Sequence, residues 1–150
     1  MALQRETSAG YMTNLAGRLF LRELERHLAP IGLTPAHMPV LLALEKGGAL
    51  TQKALAARAR VEQPTMTATL NRMERDGLIE RRVNPEDGRS MLVKLTPLAL
   101  EKIPSVENVV TAINALVLEQ LMPEERVQFF SLLAKVVAVL EAQEEKTPWP

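Results

Sequence analysis

"QPTMTATLNRMERDGLIERRVNPEDGRSMLVKLT", Gln63 to Thr96, contains the change of period that decides the fold. As far as Asp76, the apolar residues Met66, Leu70 and Met73 recur every three or four positions. At about 100° per residue they share one stripe of a helix, and Gly77 is its stop. Leu78 to Val83 then reads as a strand, and Met91 to Leu95 as a second, in which Val93 and Leu95 alternate with Lys94. Between them Asn84-Pro85-Glu86-Asp87-Gly88-Arg89 reads as a tight, charged turn with Arg89 at its tip. A lone hairpin is marginally stable in water. This one has little apolar content, so its expected partner lies outside the protein core.

The helices around this run follow from their start and stop signals. Thr13 to Leu28 carries Leu15, Leu19, Phe20, Leu24 and Leu28 near helical spacing, with Arg18, Arg22 and Arg26 on another face. Thr34-Pro35 starts a second helix, which holds Val40, Leu41 and Leu44 and stops at Gly47-Gly48; Pro39, past its first turn, is expected to bend it. Thr51 caps a short helix, Gln52 to Ala59. After the hairpin, Thr96-Pro97 starts a helix that can reach Leu121, with Pro104 expected to kink or split it. Pro123-Glu124-Glu125 opens the last helix, its carboxylates at the positive end of the dipole. That helix carries Val127, Phe130, Leu133, Val137 and Leu140 and is expected to fray in the acidic, proline-bearing tail.

The fold class is therefore mainly α with a small β-hairpin wing: a winged helix-turn-helix, 34–96, between an N-terminal helix, 1–33, and C-terminal helices, 97–150. In such a unit the second helix enters the major groove of DNA and the hairpin reaches an adjacent groove. The side of the Gln63 helix opposite the apolar stripe holds Pro64, Ala68, Asn71, Arg72 and Arg75, with Thr65 and Thr67 at its margins. Short polar groups and arginines can touch phosphates and base edges without holding the helix away. Any amphipathic helix has a polar outer face, so the hairpin carries much of the argument. Arg82 and Arg89 are its candidate DNA contacts, and Arg89 suits a minor groove of strong negative potential. Asp87 enters the wing set as the group that orients Arg89 or pairs with another wing arginine.

Composition bounds the class. With 150 residues, 47% hydrophobic and 24% charged, the chain can fold as one domain with an extension. It has no cysteine, so disulfides and thiolate metal sites are excluded. The two histidines, His27 and His37, lack metal-ligand spacing, and no phosphate loop or nucleophile motif occurs. Neither an enzyme nor a bound cofactor or metal is expected. No signal pattern or bilayer-length apolar run is present, so a cytoplasmic protein without membrane contact is expected. Net charge is zero, yet residues 58–94 carry eight basic and six acidic side chains, while 97–150 carry four and eight. A duplex would attract the first region and repel the second.

The quoted run resembles the signature of the MarR family of bacterial and archaeal transcription regulators. Its pieces are a recognition helix, the Met-Glu-x-x-Gly-Leu-Ile stop, Asp-x-Arg in the wing and a closing Leu-Thr. "IGLTPAHMPVLLALEKGGALTQKALAARARV" and "LMPEERVQFFSLLAKV" resemble that family's preceding helices and its dimerising C-terminal helix, so the likeness spans nearly the whole chain. "GLTPAHMPVL" and "QPTMTATLNRMERDGL" lean toward the SlyA-like branch. The resemblance implies a homodimeric repressor whose winged lobes read the halves of a palindromic operator in double-stranded DNA. It also implies an effector, a small aromatic or phenolic anion, with Arg18, Arg22, His37 and Met38 as the candidate pocket. The same arginines read more readily as solvated or interface residues. Departures are Ala68, where many relatives carry arginine, Asn71 in place of Asp, Gly88 in place of a second wing arginine, and Ala99 in place of glycine. They leave one alternative, a winged-helix protein-interaction module that does not bind DNA, against which stand Arg72, Arg75, Arg81, Arg82 and Arg89 as cations on one candidate surface.

Overall fold

The computed structural model describes residues 4–146. Its elements in chain order are α1 (Ala9–Leu28), two short 3-10 turns (Ala29–Ile31 and Pro35–His37), α2 (Met38–Leu44), β1 (Leu50–Thr51), α3 (Gln52–Ala59), α4 (Gln63–Arg75), β2 (Ile79–Asn84), β3 (Asp87–Leu95), α5 (Pro97–Leu118) and α6 (Pro123–Lys146). The chain divides into two units, Met1–Thr111 and Ala112–Pro150, with α5 running from one into the other. Among the described residues no single helix is long and apolar enough to cross a bilayer.

In the first unit, Leu28, Leu33, Val40, Leu41, Leu44, Leu55, Met66, Leu70, Met73, Ile79, Val93 and Leu95 form one buried cluster. The α4 stripe lies in it as its period requires. So does the base of the hairpin, which corrects the expectation that the hairpin has no core to serve. A third strand explains this: β1 pairs antiparallel with β3, Leu50 opposite Val93, giving the sheet order β1-β3-β2. Two residues before a helix are too short to carry a strand signature, so β1 was not legible.

The proline expectations fail for an identifiable reason in one case. Residues 35–37 form a 3-10 turn, so α2 proper begins at Met38 and Pro39 falls in its first turn, where its missing N–H has no intrahelical partner to lose. Pro104 does not split α5, which continues through it; that helix ends at Leu118, short of Leu121. At the other end, α1 begins at Ala9 rather than Thr13, because Ser8 caps it by accepting from the Tyr11 N–H at 3.3 Å.

Two connections fix the helix-turn-helix. Between α3 and α4, Arg60 adopts the left-handed conformation (φ 53°) and the Val61 N–H reaches the Ala56 carbonyl at 3.0 Å. After α4, Gly77 (φ 74°) turns the chain while Leu78 N–H bonds Met73 O at 2.8 Å and its side chain enters the core. Thr96 then closes the lobe. Its hydroxyl donates to Gly77 O at 2.6 Å and accepts from Ala99 N–H at 3.3 Å, capping α5.

In the second unit, the Glu125 carboxylate accepts from the Met122 N–H at 2.8 Å at the start of α6, and the rings of Phe129 and Phe130 meet edge-on at 5.5 Å. The helix holds through Glu141, Glu144 and Glu145 to Lys146 instead of fraying over the acidic stretch. Pro148 and Pro150 lie outside the described residues. Although α6 has 24 residues, none of those described is buried; Val127 is 71% exposed, and Phe130, Leu132, Val139 and Leu140 are exposed as well.

Candidate nucleic-acid interface

The site is built on α4. Burying Met66, Thr69, Leu70 and Met73 turns the other side of the helix outward, so Gln63, Pro64, Thr65, Thr67, Ala68, Asn71, Arg72 and Arg75 are all exposed. Glu74 joins them. Several are held in place. Thr67 accepts from Gln52 Nε2 at 2.6 Å and donates to the Gln63 carbonyl at 2.9 Å, which fixes the first turns of α4 against the start of α3. Arg72 Nε donates to Ala68 O at 3.3 Å, and Arg75 Nε to Asp76 Oδ1 at 3.2 Å. Gln52 was not legible as a site residue, because nothing local to it points across the turn.

The wing differs from its expected form. Its two-residue turn is Pro85-Glu86, and Asp87 already pairs with Asn84, so Arg89 is not at the tip. Val83 pairs with Met91 and Asn84 with Asp87, which leaves Gly88, Arg89 and Ser90 as an irregular bulge in β3. Side chains stitch that bulge together: Asn84 Nδ2 donates to Ser90 Oγ at 3.1 Å, and Ser90 Oγ to Asp87 O at 3.2 Å. Asp87 bonds the backbone of Arg89 rather than its guanidinium, its Oδ1 accepting the Arg89 N–H at 3.1 Å. Arg89 and Arg82 are exposed.

Helix and wing are joined by Arg81. Its guanidinium donates to Asn71 Oδ1 at 3.0 and 3.1 Å and to Glu74 Oε2 at 2.7 Å, with the Arg81 side chain only 22% exposed. The sequence places Arg81 among the surface cations; the structure gives it this bridging position instead. Arg72, Arg82 and Arg89 have no carboxylate partner among the described residues. The outward face is thus a polar helix and a cationic strand pair held at fixed spacing, which suits a polyanion carrying acceptor groups.

The four residues of the candidate effector pocket differ in exposure. Arg18 and Arg22 are exposed one turn apart on α1. His37 and Met38 are buried in the lobe. His37 is a structural group: its Nδ1 accepts from the Thr34 N–H at 3.2 Å, so the ring proton sits on Nε2. Burial holds its pKa below the ordinary histidine value; the Asp76 carboxylate pulls the other way and Arg72 adds to the lowering. Among the described residues no three His, Asp or Glu side chains are placed to hold a metal ion.

Comparison with known proteins agrees with this geometry. Residues 31–90, from the end of the first 3-10 turn into β3 of the wing, match the family model described as "MarR family". An HTH-type transcriptional regulator of Bacillus subtilis, YwoH, is 35% identical over 96 residues, 64% of this chain and 69% of that one. The HTH-type transcriptional repressor Rv2887 of Mycobacterium tuberculosis is 29% identical over 136 residues, 91% of this chain and 98% of that one. A mutant MarR from E. coli complexed with operator DNA superposes with a TM-score of 0.82 at 26% identity, covering 91% of this chain and 99% of that one. With the α4 face, the stitched wing and these likenesses together, the chain belongs to the MarR family of transcriptional regulators.

Proposed function

We propose that the chain acts as a homodimeric repressor, each copy placing α4 in the major groove and its wing in a neighbouring groove of one palindromic operator. The observation that carries this reading is the set of exposed residues Thr67, Arg72 and Arg75 on α4 and Arg82 and Arg89 on the wing, with Arg81 tying helix to wing. The relatives support it: Rv2887 is a repressor, and the E. coli structure holds operator DNA. Three functional parts follow, with 1–33 and 97–150 supplying the dimer and 34–96 the reading lobe. The unburied apolar side chains of α6 support the dimer, because a helix in water draws most of its stability from packing an apolar face.

We extend this proposal to the SlyA-like branch, toward which the motif details lean, to work in the cytoplasm and to the absence of catalytic activity. A small aromatic or phenolic anion is the proposed effector. Arg18 and Arg22 would hold its charge, and His37 and Met38 would floor the site only after the lobe shifts. The test is operator selection from random duplex, followed by Arg72→Ala combined with Arg89→Ala. The double variant is expected to lose the operator while light scattering still gives a dimer. Full operator affinity in that variant would refute the assignment.

A further inference from the structure

The bond pattern at Asn71 limits what this residue can read. An amide side chain normally offers a groove both an acceptor and two donors, and asparagine recognises adenine by using both, accepting from N6 and donating to N7. Here the Asn71 carbonyl oxygen is already occupied. Both terminal nitrogens of Arg81 donate to Oδ1, at 3.1 and 3.0 Å. The assignment of oxygen and nitrogen is fixed by chemistry, since a guanidinium has no acceptor and its partner must be the oxygen. Two donors fill the two lone pairs. Asn71 is exposed on the outward face of α4, and its Nδ2 has no partner among the described residues.

We infer that Asn71 is a donor-only reader, held by Arg81, and that it selects a keto base at one position in each half-site. Resting on the proposed DNA contact of α4, the inference names what one residue of that face distinguishes. In the major groove guanine presents N7 and O6 and thymine presents O4, all acceptors. Adenine keeps a single acceptor, N7, beside an N6 amino group that Asn71 has no oxygen left to receive, so it offers less than guanine's N7 and O6, and cytosine sets its N4 amino group donor against donor. Arg81 is a positioning residue that acts through Asn71. Glu74 completes the arrangement by anchoring the guanidinium at 2.7 Å, so the arginine stays on the protein side rather than reaching for a phosphate.

The experiment is selection of bound duplexes from a randomised library with the full-length protein, repeated for three variants whose folding is checked by thermal unfolding. Wild type is expected to enrich guanine or thymine over adenine and cytosine by roughly fivefold at one position per half-site. Asn71→Ala should level that position and no other. Asn71→Asp keeps an oxygen for Arg81 and turns a second acceptor outward, so the preference should invert to adenine or cytosine. Arg81→Met should release Oδ1 and add adenine to the accepted bases; should that variant unfold, the Asn71→Asp inversion decides by itself. Uniform weakening of every sequence by Asn71→Ala would make the residue a phosphate contact and overturn the inference, as would adenine enrichment by wild type at the position Asn71→Ala levels. Retention of no duplex at all would overturn the DNA reading beneath it.

Discussion

Replacing Arg89 by alanine has a magnitude that follows from the charge arrangement. Of the five arginines on the α4 and wing elements, Arg81 is neutralised by Glu74 at 2.7 Å and Arg75 lies 3.2 Å from Asp76. Arg72, Arg82 and Arg89 remain as exposed cations without a carboxylate partner among the described residues. In the proposed dimer, two copies of the three should make log affinity for random duplex fall with log salt at a slope of about −5, because each neutralised phosphate releases condensed counterions. Raising salt from about 50 to 200 mM should then weaken binding about a thousandfold. Arg89→Ala removes two of the cations and should reduce the slope to about −4. Arg81→Ala should leave it no shallower, since that charge is spent inside the protein. Fluorescence anisotropy of a labelled duplex across a salt series measures all three. A wild-type slope near zero, or an equal loss for Arg81→Ala and Arg89→Ala, would refute the reasoning.

Other outcomes are equally direct. Below about pH 6.5 the unfolded chain binds a proton at His37 that the folded one resists, so stability should fall as pH drops through that range. His37→Gln, which keeps an acceptor for Thr34 but does not titrate, should flatten the decline in denaturant midpoints. Gly77→Ala should cost about 1–2 kcal/mol, since an alanine there must take φ 74° although its Cβ would meet nothing closer than Leu98 at 4.0 Å; calorimetry reads the lowered Tm. Phe130→Glu on α6 should shift light-scattering mass from dimer toward monomer, and an unchanged mass would remove α6 from the proposed interface.

The helices were legible because their apolar stripes and caps are local, and the α4 face followed from Met66, Leu70 and Met73 alone. What escaped notice depended on partners distant in sequence. β1 exists because Val93 is 43 residues away, and Gln52 matters because α4 folds back to bring Thr67 within 2.6 Å. Arg81 looked like one more surface cation until Asn71 and Glu74, on the helix before it, closed around its guanidinium. The wing's register was misread for a related reason: its irregularity rests on Asn84 and Ser90 bonding across the bulge, and a charged turn has the same composition with or without that stitch. Pro39 shows the opposite case, where a local rule held once the helix start was moved past a 3-10 turn.

Thr96 gives the lobe its mechanics. One hydroxyl grips the carbonyl behind the recognition helix and the amide early in α5, tying the two helix ends across the base of the hairpin that separates them in sequence. On the proposed DNA contact, a tilt delivered along the first turns of α5 would pass through Thr96 to the trailing end of α4, and the exposed face that begins at Gln63 and Thr67 would turn with it.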